Sequence, residues 1–133
     1  MSQLNSDEAC ALVRALWESF ERREFARARR LLADDFTAWW PHSGELIKGA
    51  DNFIAVNEHY PGPWAITIDR VLGLGDTVVS EVTVRLPPAV FQCASLFTVR
   101  EGKLAAVTDY WIERNGEEPP AWRRRWTEPT ELP

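Results

Sequence analysis

The sequence predicts an α+β domain in which amino-terminal helices pack against an antiparallel β-sheet. Two observations predict this class. Apolar residues recur at helical spacing in the first part of the chain, whereas alternation with a period of two dominates from Trp64 onward. No helical pattern separates the last four strand-like segments, which favours a meander. The chain has 133 residues, of which 45% are hydrophobic, and this fits one domain with a buried core.

The first part of the chain predicts two helices. The first spans about Ser6 to Arg23, with Asn5 as its N-cap, and its apolar stripe consists of Leu12, Val13, Leu16, Trp17 and Phe20. The second is shorter and covers Phe25 to Leu32, with arginines on its solvent face. We expect Asp34 and Asp35 to end it.

A strand pair and a third helix follow. Phe36 to Trp40 predicts the first strand, and Leu46 to Lys48 can pair with it as a hairpin. The third helix is predicted from Gly49 to Tyr60, where Pro61 stops it. Its inward stripe would be Phe53, Val56, Asn57 and Tyr60, in which Asn57 is the only polar member.

The second half of the chain predicts four strands joined by short turns. They cover Trp64 to Leu72, Thr77 to Leu86, Val90 to Arg100, and Lys103 to Glu113. The core of the domain thus spans about residues 6–113. The tail, residues 114–133, contains the compact segment Ala121 to Trp126, which could cover either the sheet or a pocket mouth.

The turn between the last two strands decides which side chains face each other. A two-residue turn would place Asp109 opposite Ala94. A three-residue turn with a bulge would pair Val99 with Lys103 and place Asp109 opposite Cys93, and we favour it. It gives one apolar face with a single carboxylate, made of Phe91, Cys93, Ser95, Phe97, Val99, Ala105, Val107, Asp109 and Trp111.

The order of these elements, ending in Gly102-Lys103-Leu104 and then Asp109-Tyr110-Trp111, resembles the nuclear transport factor 2-like superfamily. Within it, the sequence is most similar to the SnoaL-like branch, which includes polyketide cyclases, over about residues 6–113. The resemblance implies a cone-shaped roll in which a strongly curved sheet packs against three helices and encloses a pocket. Members include isomerases, dehydratases, epoxide hydrolases and cyclases, so the fold alone does not define the chemistry.

The resemblance implies a catalytic role for Asp109. SnoaL-like cyclases use an Asp six residues after the Lys of a Gly-Lys turn as general acid or base, and Asp109 stands six residues after Lys103. Burial in an apolar pocket would raise the pKa of such a carboxyl. The alternative is a structural role, in which Asp109 pairs with an arginine or with the tail.

Several relatives carry catalytic groups that this sequence lacks. Steroid-isomerase-like members use a tyrosine on the first helix, where this chain has Trp17 and Phe20. Cyclases place a His where Ser95 stands. An epoxide-hydrolase-like set would need Asp109 to converge with Arg85 and Glu81, which the sequence does not establish.

The pocket is expected to hold a small, largely apolar organic molecule without a cofactor. The predicted ligand-binding residues are Trp17, Trp40, Asn57, Tyr60, Ser95, Phe97 and Trp111. Three hypotheses remain: an isomerase, cyclase or dehydratase using Asp109; a non-catalytic binding module; or a protein-interaction domain. His42 lies at a strand end near the rim of the cone, where it could shuttle a proton or hydrogen-bond a ligand, but we expect both it and His59 to face solvent. Trp64 is expected in the core.

The charge and composition of the chain limit the classes of binding partner that we expect. With 15 Lys and Arg against 20 Asp and Glu, the net charge of -5 gives no reason to expect nucleic acid or an anionic membrane. No apolar run is long enough for a signal peptide or a membrane span, so we expect a cytoplasmic protein. Cys10 and Cys93 lack metal-ligand spacing, and neither a metal nor a disulfide is expected.

The outer face of the predicted sheet is the expected partner surface. It would carry Trp39, Ala94, Leu96 and Tyr110, whereas Trp40 points inward. An apolar patch of this kind is seldom left exposed to water. A two-fold homodimer through this face is therefore expected, as the resemblance also implies.

Overall fold

Three helices pack against a curved, unclosed six-stranded sheet in the computed structural model, which describes residues 5–130. The strand order is β2-β1-β6-β5-β4-β3. The helices are α1 (Ser6–Glu21), α2 (Phe25–Arg30) and α3 (Ala50–Glu58). The strands are β1 (Leu32–Trp40), β2 (Glu45–Lys48), β3 (Ala65–Leu74), β4 (Thr77–Leu86), β5 (Ala89–Arg100) and β6 (Lys103–Glu113). The predicted α+β class and cone-like architecture are confirmed.

Helix α1 begins where the sequence predicts. The side-chain oxygen of Asn5 accepts a hydrogen bond of 2.8 Å from the backbone N–H of Glu8, which satisfies one of the free donors of the first turn. The helix ends at Glu21, two residues before the predicted end, because Arg23 adopts a left-handed conformation with φ of 60°. Its apolar stripe is buried against β3 and β4.

The predicted end of the second helix is wrong. Helix α2 stops at Arg30, and Asp34 and Asp35 lie within strand β1 instead of terminating a helix. Both carboxylates have cationic partners, since Arg29 binds Asp34 at 2.8 Å and Arg100 binds Asp35 at 2.6 Å. These exposed ion pairs permit the two aspartates in a strand, although aspartate is uncommon there.

Strand β1 pairs with one antiparallel neighbour and one parallel neighbour. It forms the predicted antiparallel hairpin with β2 and pairs in parallel with β6, so that Ala38 lies between Ile47 and Val107. All other neighbouring strands are antiparallel, as the meander predicts. The pairing with β6 joins the amino-terminal half of the chain to its last strand.

The turn between β5 and β6 differs from the favoured prediction. Arg100 pairs with Lys103, which leaves a two-residue turn of Glu101 and Gly102. Both turn residues have positive φ, 51° and 77°, as a type I′ hairpin requires. The predicted pairing of Val99 with Lys103 is therefore wrong.

A bulge one step further along sets the final register. Leu104 pairs with Val99 and Ala106 pairs with Thr98, so Ala105 has no partner and does not take the inward position predicted for it. Asp109 consequently lies opposite Ser95, whereas the prediction was Cys93. Because side chains alternate with a period of two, this shift of two residues leaves Asp109 on its predicted face.

The core lies between the helices and the concave face of the sheet. Its aromatic centre consists of three buried rings, with Phe36 and Phe53 4.8 Å apart and Phe20 and Phe53 5.9 Å apart between ring centroids. On β1, Phe36 is fully buried and Trp39 is 41% exposed on the outer face, as predicted. Within residues 5–130, no helix is long and apolar enough to cross a membrane.

Candidate functional site

A cavity of about 250 Å³ lies at one end of the core. Six aromatic residues contribute to its wall: Trp17, Trp40, Tyr60, Trp64, Phe91 and Trp111. Aliphatic side chains of β3, β4 and β6 complete the apolar surface, among them Ile66, Val84 and Leu86. Helices α1 and α3 and the concave face of the sheet therefore enclose a space that favours apolar and aromatic molecules.

Three polar side chains also line the cavity: His42, Asn57 and Glu113. His42 follows β1, and its ring centroid lies 5.9 Å from that of Trp40. The amide nitrogen of Asn57 donates to the carbonyl oxygen of Phe53 at 2.8 Å. Asn57 can thus offer its side-chain oxygen to a ligand as an acceptor.

Three of the four cavity tryptophans use their indole N–H within the protein. Trp17 donates to the hydroxyl of Ser80 at 3.1 Å, and Trp64 donates to the carbonyl oxygen of Tyr60 at 3.2 Å. Trp40 donates to the Oδ2 atom of Asp109 at 2.9 Å. These bonds hold the three rings in place and leave their apolar surfaces for packing.

Asp109 lies at the N–H edge of the Trp40 indole and is only 3% exposed. Its Oδ1 atom accepts a hydrogen bond of 2.5 Å from the hydroxyl of Ser95, its neighbour across β5 and β6. Burial raises the pKa of the Asp109 carboxyl, while the hydrogen bonds from Ser95 and Trp40 oppose this increase. The carboxyl is thus inward and desolvated, but it does not form part of the cavity wall.

The surroundings of Asp109 can accommodate both protonation states. Ser95 donates to the carboxylate, and its hydroxyl oxygen also lies 3.3 Å from the Sγ atom of Cys93. When Asp109 is protonated, its O–H can donate to Ser95, whose own hydrogen can then turn toward Cys93. Burial likewise raises the pKa of the Cys93 thiol, which keeps that group neutral.

The structure brings five of the predicted ligand-binding residues together on the cavity wall: Trp17, Trp40, Asn57, Tyr60 and Trp111. Ser95 and Phe97 are buried behind the wall with Asp109. His42 is exposed, as predicted, and also lines the cavity at its rim. Glu113 was not predicted at the pocket. Trp64, just before β3, is buried as predicted for a core residue, and it also contributes to the cavity wall.

Within the described chain, Asp109 is held by hydrogen bonds and not by an ion pair. Among residues 5–130, no Lys or Arg lies within ion-pair distance of its carboxylate. Glu81 instead pairs with Arg70 at 3.2 Å. The set of Asp109, Arg85 and Glu81 expected for epoxide-hydrolase-like chemistry is therefore not assembled by direct contacts.

The other titratable groups do not form a metal site. Within the described chain, no group of three or more His, Cys, Asp and Glu side chains is arranged to hold a metal ion. His59 is exposed, and its Nδ1 atom lies 2.8 Å from the carbonyl oxygen of Ala55. This exposure agrees with its predicted position.

The carboxy-terminal segment Ala121–Trp126 forms a 3₁₀ helix. Its two tryptophans, Trp122 and Trp126, are 71% and 70% exposed, so in this structure they cover neither the sheet nor the cavity mouth. Arg124 contacts Glu118 at 3.4 Å within the same tail. Residues 131–133, the last part of the predicted tail, lie outside the described residues.

A curved sheet that packs against three helices around an internal cavity defines the class of nuclear transport factor 2-like folds. The family model of the SnoaL-like domain matches residues 13–107. The chain therefore belongs to the SnoaL-like domain family, as the sequence resemblance predicts.

Solved structures of similar proteins agree with this assignment. A candidate ketosteroid isomerase from Kribbella flavida is 28% identical, with a TM-score of 0.87 over 96% of this chain and 93% of that one. A nuclear transport factor 2-like protein of unknown function from Burkholderia xenovorans is 25% identical, with a TM-score of 0.77 over 94% and 97%. An LEH-like epoxide hydrolase from M. tuberculosis is 21% identical, with a TM-score of 0.69 over 80% and 84%. No curated protein matches the chain significantly.

Proposed function

We propose that this protein binds a small, largely apolar organic molecule in its internal cavity. The observation that carries the proposal is a cavity of about 250 Å³ whose wall contains six aromatic side chains. Pockets for drug-sized ligands usually measure about 300–1,000 Å³. The ligand is accordingly a compact molecule of one or two rings, or an aliphatic molecule of similar size.

A thermal-shift screen with compact aromatic compounds such as toluene, indole and naphthalene tests this proposal. A compound present at 100 times its dissociation constant should stabilise the folded state by about 2.7 kcal/mol. The variant Val84→Phe fills the cavity from β4 and should abolish this stabilisation. Val79→Phe adds the same ring to the outer face, where Val79 is 38% exposed, and should leave the stabilisation unchanged.

The results that would contradict ligand binding are equally specific. If no compact apolar compound stabilises the protein, the cavity has no affinity for this class of molecule. If the stabilisation survives in Val84→Phe but is lost in Val79→Phe, the compounds bind the outer face instead.

We propose proton transfer by Asp109 as a second function, in which the same cavity holds a carbonyl compound. A buried carboxyl with a raised pKa is suited to general acid–base chemistry, and Asp109 is hydrogen-bonded to the indole of Trp40, which lines the cavity. A general base must come within about 2.6–3.2 Å of the proton it removes. A substrate in the cavity can therefore react at Asp109 only if the bond from Trp40 breaks and the Trp40 ring moves. The candidate ketosteroid isomerase from Kribbella flavida, at 28% identity, supports chemistry of this kind.

Deuterium exchange measures this activity without knowledge of the natural substrate. A small cyclic enone incubated with the protein in D₂O should exchange its acidic C–H protons faster than in buffer, as followed by NMR. Asp109→Asn should abolish the acceleration, whereas Asp76→Asn, at an exposed turn, should retain it. Equal acceleration by both variants would exclude Asp109 as the base.

We also propose that a second copy of the chain covers the outer face of the sheet. The exposed fractions of Trp39, Leu96 and Tyr110 are 41%, 44% and 50%, and they lie on neighbouring strands. Light scattering should give twice the mass of 15.2 kDa, and Leu96→Lys should reduce it toward the monomer. A monomer at all concentrations would contradict the dimer.

A further inference from the structure

We propose that the ligand of the cavity carries a positive charge, as a compact alkylammonium group. This inference rests on the proposed binding function and specifies the class of molecule bound. The wall combines aromatic rings with the Glu113 carboxylate, and none of the wall residues described in 5–130 is Lys or Arg. Aromatic faces attract cations through their quadrupole, most strongly for tryptophan and most strongly in sites shielded from water.

The indole of Trp40 adds to this attraction. Its N–H donates to the Asp109 carboxyl at 2.9 Å. When Asp109 is ionised, its negative charge polarises the N–H bond and increases the electron density of the indole ring. A cation against the Trp40 ring would thus contact an aromatic face made more electron-rich by the carboxylate at the N–H edge of the indole. The buried carboxylate of Asp109 has no Lys or Arg within ion-pair distance in the described chain, so a cation bound against Trp40 would bring a compensating positive charge nearer to it.

Trp64 has a different role, because the side chain of Arg23 already lies against its ring. The guanidinium carbon of Arg23 lies 3.3 Å from the centroid of the Trp64 ring, and Arg23 also donates to the carbonyl oxygen of Trp64. This contact reduces the attraction of Trp64 for a second cation. The proposed site therefore depends on Trp17, Trp40 and Trp111.

The charge of the surroundings sets how binding depends on pH. The titratable and charged groups around the site are Asp109, Glu113, His42, Tyr60, Cys93 and Arg23. Burial raises the pKa of Asp109, and it keeps the Cys93 thiol neutral. Because Asp109 gains its negative charge as the pH rises, affinity for a cation should increase with pH.

A pair of probes that differ only in charge tests the inference. Choline and 3,3-dimethylbutan-1-ol have the same shape, with a positive nitrogen replaced by a neutral carbon. By calorimetry at pH 8, choline should bind about tenfold more tightly than the alcohol. Its affinity should fall as the pH decreases, whereas that of the alcohol should stay constant.

Variants separate the contributions of ring and charge. Trp111→Leu should weaken choline binding about tenfold, whereas Trp122→Leu, at a site 71% exposed and outside the cavity wall, should not change it. Asp109→Asn and Glu113→Gln should each weaken choline binding about 3- to 30-fold without weakening binding of the alcohol.

The outcomes distinguish this inference from the function on which it rests. If the alcohol binds as tightly as choline, or if neither probe binds while toluene or indole does, the positive charge is excluded and apolar binding stands. If choline, the alcohol and the apolar compounds all fail to bind, both proposals are refuted.

Discussion

Replacing Asp109 by Asn should make the protein more stable at high pH and remove part of its pH dependence. Burial raises the pKa of this carboxyl above its ordinary value of 3.8. The folded state therefore holds its proton to higher pH than the unfolded state does. Between the two pKa values, stability falls as the pH rises, and above the folded-state pKa the full cost of the buried charge remains.

The size of the effect follows from this linkage. One proton taken up by the folded state alone changes the free energy of unfolding by up to about 1.4 kcal/mol per pH unit. An asparagine has no such dependence. Its oxygen can accept the bond from Trp40, and its amide can donate to Ser95, whose hydrogen turns to Cys93 at 3.3 Å. The neutral side chain thus keeps the packing and the hydrogen bonds.

Urea unfolding of both proteins, followed by tryptophan fluorescence from pH 4 to 8 in steps of about one unit, measures the difference. The stability of Asp109→Asn minus that of the wild type should increase with pH and then level off. Asp76→Asn, in an exposed turn, should change stability by no more than about 0.5 kcal/mol at any pH. The reasoning would be refuted if this difference in stability were constant with pH. It would also be refuted if the stability of the wild type increased relative to that of the variant as the pH rises.

Three further changes test separate parts of the structure. Ser95→Ala removes the 2.5 Å hydrogen bond to Asp109, so the pKa of the Asp109 carboxyl should rise further. A ¹³C NMR titration measures this pKa, and an unchanged titration midpoint would show that the bond has no influence on it. Phe36→Ala removes a fully buried ring and should cost about 3–5 kcal/mol in urea unfolding, whereas Leu74→Ala, at a site 84% exposed, should cost less than about 1 kcal/mol. Asn5→Ala removes the cap of α1 and should lower the unfolding free energy by about 1 kcal/mol, and an unchanged thermal midpoint would contradict the capping bond.

The positions of helices and strands could be predicted from local sequence because their patterns are local. The apolar spacing of α1 and the alternation of β4 and β5 determine which face each residue presents. The end of α2 was not predictable in this way. Asp34 and Asp35 lie in β1 between its two points of pairing with β6, at Leu32 and at Thr37, and the partners of those residues lie about seventy positions later in the chain.

The orientation of Asp109 was predicted although its register was not. The two-residue turn and the bulge at Ala105 together move Asp109 from Cys93 to Ser95, and no local pattern distinguishes these positions because both lie on the same face. An error of two residues in the register therefore leaves Asp109 on the same face of the sheet. The hydrogen bond from Trp40 could not be predicted, because it depends on the parallel pairing of β1 with β6.

The cavity wall was predicted best where the sequence offered an amphipathic stripe. Trp17 and Asn57 follow from helical spacing. Tyr60 was predicted on the same stripe as Asn57, but it lies beyond the end of α3 at Glu58 and is 47% exposed. His42 and Glu113 reach the cavity from the ends of strands, where a period of two no longer fixes the direction of a side chain. Their role depends on how the curved sheet brings the ends of β1 and β6 beside α3.

The indole N–H resonances of the seven tryptophans test the central claim, that a compact apolar molecule occupies the cavity. Four of these residues line it, namely Trp17, Trp40, Trp64 and Trp111, and three lie elsewhere, namely Trp39, Trp122 and Trp126. In a titration with indole or toluene followed by ¹H–¹⁵N NMR, the first four resonances should shift together and saturate, and the other three should stay in place. Shifts confined to Trp39, Trp122 and Trp126, or no saturable shift at all, would contradict it.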